Sequence, residues 1–378
     1  VVSSVHESFS DFTESEWNAL ERGDFVFGDH RFLAALENSG CLGRRTGWFP
    51  QIQAVRIKDR LVGALPVFKK TNSYGEYIFD WAWANAAEHA GLAYYPKLVA
   101  AIPFTPATGP KFFLSQNTHE AAAARELLLT SAQTAARSWS SLHFLFETPL
   151  ETEALREKSF LIRHSFQYHW HNRGWTTFED FLSALRSKRR SEIRRERSVV
   201  EKSGVTISRL TGDALTPEHA EMMAAFYLST IRKMGGQNYL TKEFFKDVFL
   251  RMKDSLLFVF AQSSSGEPIA GALNFYRGRT LFGRYWGCVD DFKNLHFEVC
   301  YYQAIDWCLE RGFELFEAGA QGEHKFNRGF TPHLTLSAHE IHHPGLRSAV
   351  SDFLESEKVS IDEIFKDYRL HDPFQRLD

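Results

Sequence analysis

A single lysine, Lys325, stands in the run Gly322-Glu323-His324-Lys325-Phe326-Asn327-Arg328-Gly329-Phe330. It follows Phe313-Glu314-Leu315-Phe316-Glu317-Ala318, which reads as a buried strand. Lysine is costly to bury and sheds that cost by meeting an anion or by changing its pKa. Held at a strand–loop junction it suits a phosphate or an oxyanion that develops during reaction; a solvated loop lysine is the plain alternative. Amide formation needs a neutral amine, an activated acyl carbonyl and stabilisation of the tetrahedral oxyanion, and Lys325 would supply the last. Glu298, Glu317, Glu323 and His324 are the candidate proton acceptors, and His324 has the most suitable ordinary pKa. Tyr285 and Trp286 would wall an acceptor site, or pack in a core.

A second charged feature lies mid-chain. Phe178–Arg197 reads as one helix capped by Thr176 or Thr177, with acids in its first turn to suit the helix dipole. Phe178, Phe181, Leu182 and Leu185 form an apolar stripe at helical spacing. At about 100° per residue, Arg189, Glu192 and Glu196 continue that stripe, so the inward face turns from apolar to charged. Arg190, Arg194 and Arg197 share an adjoining face, where guanidinium forks match the oxygens of a diphosphate. The other reading is a solvated helix with internal ion pairs.

The elements that would position these groups occur twice. Arg60-Leu61-Val62-Gly63-Ala64-Leu65 and Pro268-Ile269-Ala270-Gly271-Ala272-Leu273 each place Gly-Ala-Leu in an apolar strand after a tight turn. Each follows another strand, near Ile52–Ile57 and Leu256–Ala261. Each precedes an aromatic segment, Phe79–Trp83 or Phe282–Trp286, and then a Tyr-Tyr pair. Gly63 to Tyr94 spans 31 positions and Gly271 to Tyr301 spans 30. Matching order and spacing indicate a duplication. Helices are expected near Glu120–Arg137 and His296–Arg311, each leading into a strand, Leu142–Glu147 or Phe313–Ala318. Strand runs bracketed by helices indicate mixed α/β sheets.

Composition narrows the classes. The chain has 378 residues, enough for two domains or more, and 44% are hydrophobic. The formal net charge of −3 does not favour DNA binding. Cys41, Cys288, Cys300 and Cys308 form no CxxC pair; Cys300 and Cys308 read as small core residues, and no partner for a Cys288 nucleophile is visible. A reducing, cytoplasmic compartment is expected, with no transmembrane segment and no signal peptide. Among the 16 histidines, His169-x-His171 and His339-x-x-His342-His343 are the clusters to weigh for a metal. On a strand His169 and His171 share a face, but no third ligand appears at fixed spacing, and no metal is expected.

Taken together, the tandem units, the central Lys/Arg-x-x-Ile-Arg helix and the Gly-x-x-Lys-Phe-x-x-Gly-Phe run resemble the Fem family, the peptidoglycan-bridge aminoacyltransferases built from two acyltransferase domains of the GNAT type. The segments Ser73–Trp83, Pro103–Pro110 and Glu317–Lys325 more closely resemble a bacterial branch of predicted N-acyltransferases associated with peptidoglycan biosynthesis or recognition. The likeness runs from about Phe27 to Leu354. It implies an α/β fold of two tandem GNAT-like domains with mixed sheets flanked by helices. The expected boundaries are 1–175 for the first domain, 176–203 for a basic connecting helix, 204–345 for the second domain, and 346–378 for a C-terminal helix and tail. It also implies Lys325 as a catalytic residue; His324, which stands where the family tends to carry an aromatic residue, and Glu317 join it as the expected bases. Arg190, Arg194, Lys188, Tyr285, Trp286 and Gln321 would bind substrate, the arginines taking the acceptor's diphosphate. Family donors are aminoacyl-tRNAs, and the acceptor would be a peptidoglycan precursor or a related small molecule. An acyl-CoA donor is the alternative, although no Arg/Gln-x-x-Gly-x-Gly/Ala loop precedes the helix at His296. A non-catalytic module that binds the precursor is the third possibility.

Overall fold

The computed structural model describes residues 1–290, 292–319 and 322–375. The chain forms two compact units, Val1–Phe166 with Leu334–Ile364, and Gln167–His333 with Phe365–Asp378. Both units draw on residues distant in sequence. The fold class is mixed α/β, as expected.

In the first unit, strands Val2–His6, Ile52–Ile57, Arg60–Leu65 and Phe113–Leu114 form an antiparallel sheet in that order. A second set joins Trp48–Pro50, Val67–Lys70, Lys97–Ala100 and Ser141–Leu145, with Ser337–Ile341 beyond. Lys97–Ala100 and Ser141–Leu145 run parallel. Helix Thr118–Ala136, capped by the Asn117 side chain, buries Ala124, Leu128, Leu129, Ala132 and Ala136 on these strands. Gly63 allows the approach: a Cβ there would stand 2.9 Å from that of Ala124.

The second unit repeats this plan. Thr206–Leu210, Leu256–Gln262, Pro268–Arg277 and Thr280–Cys288 are successive antiparallel neighbours. Leu315–Glu317 then pairs in parallel with Thr280–Phe282 on one side and antiparallel with His169–His171 on the other. Helix Pro217–Met234 crosses this sheet so closely that a Cβ on Gly287 would stand 1.9 Å from the Phe226 carbonyl oxygen. Ser229 and Thr230 donate to the carbonyls of Cys288 and Trp286 at that crossing.

The duplication is therefore one of topology. Each unit has a three-strand antiparallel start, Val2–His6, Ile52–Ile57 and Arg60–Leu65 against Thr206–Leu210, Leu256–Gln262 and Pro268–Arg277. Each also has a parallel pair preceded by a helix. The aromatic and Tyr-Tyr correspondences do not hold. Trp81–His89 is a helix where Thr280–Cys288 is a strand. Tyr94 precedes a strand, whereas Tyr301 lies inside a helix. Aromatic residues satisfy burial in either element, so the near-equal spacing carried no register.

The mid-chain helix is not continuous. Thr177 caps Phe178–Ala184 in a capping box with Asp180, and a separate helix runs Ser187–Lys202. Between them Leu185 and Arg186 are extended, Leu185 bridging to Phe374 and the Arg186 N–H donating to the Pro373 carbonyl at 2.9 Å. The C-terminal tail thus competes for backbone groups that the helix would have used. Among the described residues no helix is long and apolar enough to cross a membrane.

Candidate active site

The parallel pairing of Thr280–Phe282 with Leu315–Glu317 stops after three residues. Beyond it a cleft lies in the second unit, lined by Asn274, Arg284, Trp286, His296, Cys300 and Gly319 among others. His296, Cys300 and Tyr301 reach it from a helix that runs Leu295–Phe297, makes a π-turn over Glu298–Tyr302, and continues Gln303–Glu310. Such a turn carries one extra residue per loop of helix and re-aims the side chains that follow it.

Lys325 does not itself line this cleft but bonds to Gly319, which does. It is 3% exposed, and its Nζ donates to the carbonyl of Gly319, 3.0 Å away. Burial lowers its pKa from 10.5 to about 8, with Cys300 acting the other way and Arg284 adding to the fall. The two glycines of the motif have backbone roles. Residues Glu323–Arg328 form a tight 3-10 helix, and Gly322 and Gly329 bound it at φ 115° and 85°, a region favouring glycine. Phe330 packs on Tyr301 and Phe316, and so anchors the run.

His324 is exposed. Its Nε2 lies 3.0 Å from the Tyr301 hydroxyl, and its ring packs against Phe297 and His296. Burial lowers its pKa, then Arg328 and Lys325. His296 is pushed down to about 4 by burial and by the same cluster of cations. Both rings are therefore neutral at pH 7. Tyr285 is buried and, with the half-buried Trp286, lines the cleft.

The Ser187–Lys202 helix reaches the motif through an acid. Arg328 pairs with Glu196, whose carboxylate also accepts from Tyr302. The expected diphosphate group is spread among protein partners. Arg190 donates to the carbonyls of Ser183 and Leu185, at 3.4 and 3.1 Å, across the helix break. Arg194 pairs with Glu179 at the surface, and Arg197 with Glu298 at 3.0 Å. Lys188 is exposed. Gln321 lies outside the described residues.

The whole arrangement matches a known family, FemAB_like, described as peptidoglycan biosynthesis/recognition, over residues 8–376. The chain belongs to the FemAB_like family. Its fold is similar to "Crystal structure of FemX", with a TM-score of 0.53 and 12% identity over 93% of this chain and 100% of that one. It is also similar to the C-terminal domain of a putative lysylphosphatidylglycerol synthetase from Agrobacterium fabrum, with a TM-score of 0.53 and 9% identity over 92% of this chain and 97% of that one. No curated protein matches the sequence.

Several residues of this FemAB_like cleft escaped the sequence reading. Cys300 is not a core residue: it is half-buried and lines the cleft, whereas Cys308 is buried as expected. The π-turn, which no spacing rule anticipates, is where Cys300 sits. Arg284 was legible in principle, since a cation between Gly283 and two aromatics is out of place in a core strand. Asn274 sits at a register shift of its strand, against the cleft.

Glu317 is buried and stands 3.8 Å from His169 Nε2. The second histidine cluster is dispersed. His339 pairs with His143, Nδ1 to Nδ1, at 2.7 Å; His342 Nδ1 meets the Trp139 carbonyl at 2.8 Å; and His343 Nδ1 accepts the Leu346 N–H at 3.3 Å.

Proposed function

We propose that this FemAB_like chain is an N-acyltransferase that moves an aminoacyl or acyl group onto an amine of a cell-envelope precursor. The observation that carries the reading is Lys325, a buried cation whose ammonium donates to the carbonyl of Gly319, which lines the cleft where the parallel strands part. The incoming amine forms the new C–N bond at the acyl carbonyl carbon, and the carbonyl oxygen takes up negative charge. With a pKa of about 8, Lys325 is mostly protonated at pH 7 and stabilises that oxygen. Collapse expels the donor's ester or thioester leaving group. The amine's proton passes to a base, for which the neutral His324 imidazole and the Glu317 carboxylate are the proposed groups.

The acceptor is proposed to be a peptidoglycan precursor bearing a diphosphate, met by Lys188, Arg190 and Arg194. The exposed Arg194–Glu179 pair is worth under about 1 kcal/mol and yields readily to a phosphate. Tyr285, Trp286 and Gln321 complete the proposed substrate contacts. Aminoacyl-tRNA is the proposed donor and the cytoplasm the proposed compartment. Acyl-CoA is the second reading, supported by strands that part after three paired residues, a geometry that suits an amide-bearing arm.

Melting temperatures with acetyl-CoA, longer acyl-CoAs, UDP-sugar peptides and aminoacyl-tRNA separate these donors, because ligands of the native state raise the midpoint. Lys325→Ala should lower turnover by about 10²-fold or more with little loss of binding. Binding without any turnover in the wild type would instead indicate a precursor-binding module.

A further inference from the structure

Three histidines meet in the second unit. His169 and His171 end the strand Leu161–His171, and His333 lies at the start of Thr331–Ile341. One ring nitrogen of each lies within 4.8 Å of the other two. The ring centroids are 4.4 Å apart for His169 and His333, 5.6 Å for His171 and His333, and 6.2 Å for His169 and His171.

We propose that His169, His171 and His333 bind a late first-row divalent cation of the zinc class, each through one ring nitrogen, with a fourth position left to water.

The orientation of His169 supports this. Its Nε2 faces two acceptors, Gln167 Oε1 at 3.4 Å and Glu317 Oε2 at 3.8 Å. Nε2 therefore keeps the proton, and Nδ1 carries the lone pair. That Nδ1 is buried and has no hydrogen-bond partner. A buried acceptor left unmet costs about 1–3 kcal/mol, and a cation removes the cost. A carboxylate behind a ligating imidazole is also the usual outer-shell arrangement, fixing the tautomer and raising the basicity of the ring.

The donor set selects the metal. Three imidazoles suit zinc, copper or nickel, whereas magnesium and calcium demand oxygen ligands. In a tetrahedral zinc site the ligand nitrogens stand about 3.3 Å apart, from Zn–N bonds of about 2.0–2.1 Å. Small rotations of His171 and His333, both half-buried, would close the difference from the observed spacing.

The test uses the full chain stripped with a chelator, then titrated with Zn²⁺ by calorimetry and with Co²⁺ by visible absorption. One equivalent of Zn²⁺ should bind at micromolar affinity or tighter, and Co²⁺ should give the strong d–d bands of a four-coordinate site. His171→Gln and His333→Gln, checked for fold by circular dichroism, should each weaken Zn²⁺ at least about 100-fold. His342→Gln, outside the cluster, should leave binding unchanged. Absence of one-to-one binding in the wild type, or equal affinity in the His171 and His333 variants, would overturn the assignment.

Discussion

Arg328 forks onto Glu196, with Nη2 to Oε1 at 2.6 Å and Nε to Oε2 at 3.2 Å, while the Phe297 ring lies 3.4 Å from its guanidinium carbon. Arg328 Nη1 also donates to the His324 carbonyl at 2.7 Å. One arginine thus ties the Lys325 run to the basic helix and to the π-turned helix. Removing Glu196 would leave a largely buried guanidinium without its anion. Glu196→Ala is expected to lower unfolding free energy by about 3 kcal/mol in urea denaturation. Glu179→Ala, which breaks the exposed pair with Arg194, should change it by less than about 0.5 kcal/mol.

Lys325 sets stability against reactivity. Its folded pKa, about 8, lies below the ordinary 10.5. Between those values the unfolded chain holds more protons, so the lysine's contribution to stability rises with pH across that window. Below pH 8 its buried charge carries the full cost, about 3 kcal/mol at 1.36 kcal/mol per pKa unit. Lys325→Met should therefore raise the melting temperature at pH 7 while lowering turnover. A variant less stable than the wild type would show that the Gly319 hydrogen bond outweighs the burial cost.

The same ionisation sets the pH profile of the proposed reaction. Oxyanion stabilisation needs the ammonium form, so turnover attributable to Lys325 should fall as pH rises through about 8. Lys325→Arg, which stays charged, should flatten that limb even where its overall rate is lower. An unchanged alkaline limb in this variant would assign it to another group.

In the first unit, Lys97 is fully buried between Glu76 at 2.8 Å, Asp80 at 2.5 Å and Ser73 at 3.0 Å. Burial opposes its charge, yet the two carboxylates hold its pKa above the ordinary range. Lys97→Met should destabilise by about 3–5 kcal/mol, because the cation that Glu76 and Asp80 both touch would be gone. The variant should regain stability as pH falls from 7 toward 5, when Asp80, no longer held low by Lys97, takes up a proton; burial already keeps Glu76 up at about 7. Thermal melts at the two pH values read this directly.

This cluster also shows what the chain order made legible. Ser73, Glu76 and Asp80 fall in a segment that carried the family resemblance, but nothing in their spacing named Lys97 as the partner they share. The hairpins Ile52–Ile57 with Arg60–Leu65 and Leu256–Gln262 with Pro268–Arg277 were readable because short turns and apolar runs are local signals. The helix before each parallel strand was readable for the same reason. The break at Leu185 was not, because it depends on Pro373 and Phe374 nearly two hundred residues later.

What the sequence determined by itself was the local chemistry. It called for glycines bounding a lysine run, a duplicated α/β plan, and a pair of histidines on one strand face. Backbone conformation, hydrophobic period and side-chain type are properties of short windows, and they survive without knowledge of the fold. Tertiary structure decided which charges meet. It assigned Glu196 to Arg328, brought Cys300 to the cleft through a π-turn, and placed His333 against His169. Those pairings join residues from separate strands and helices, and no spacing along the chain encodes a distance that only packing creates.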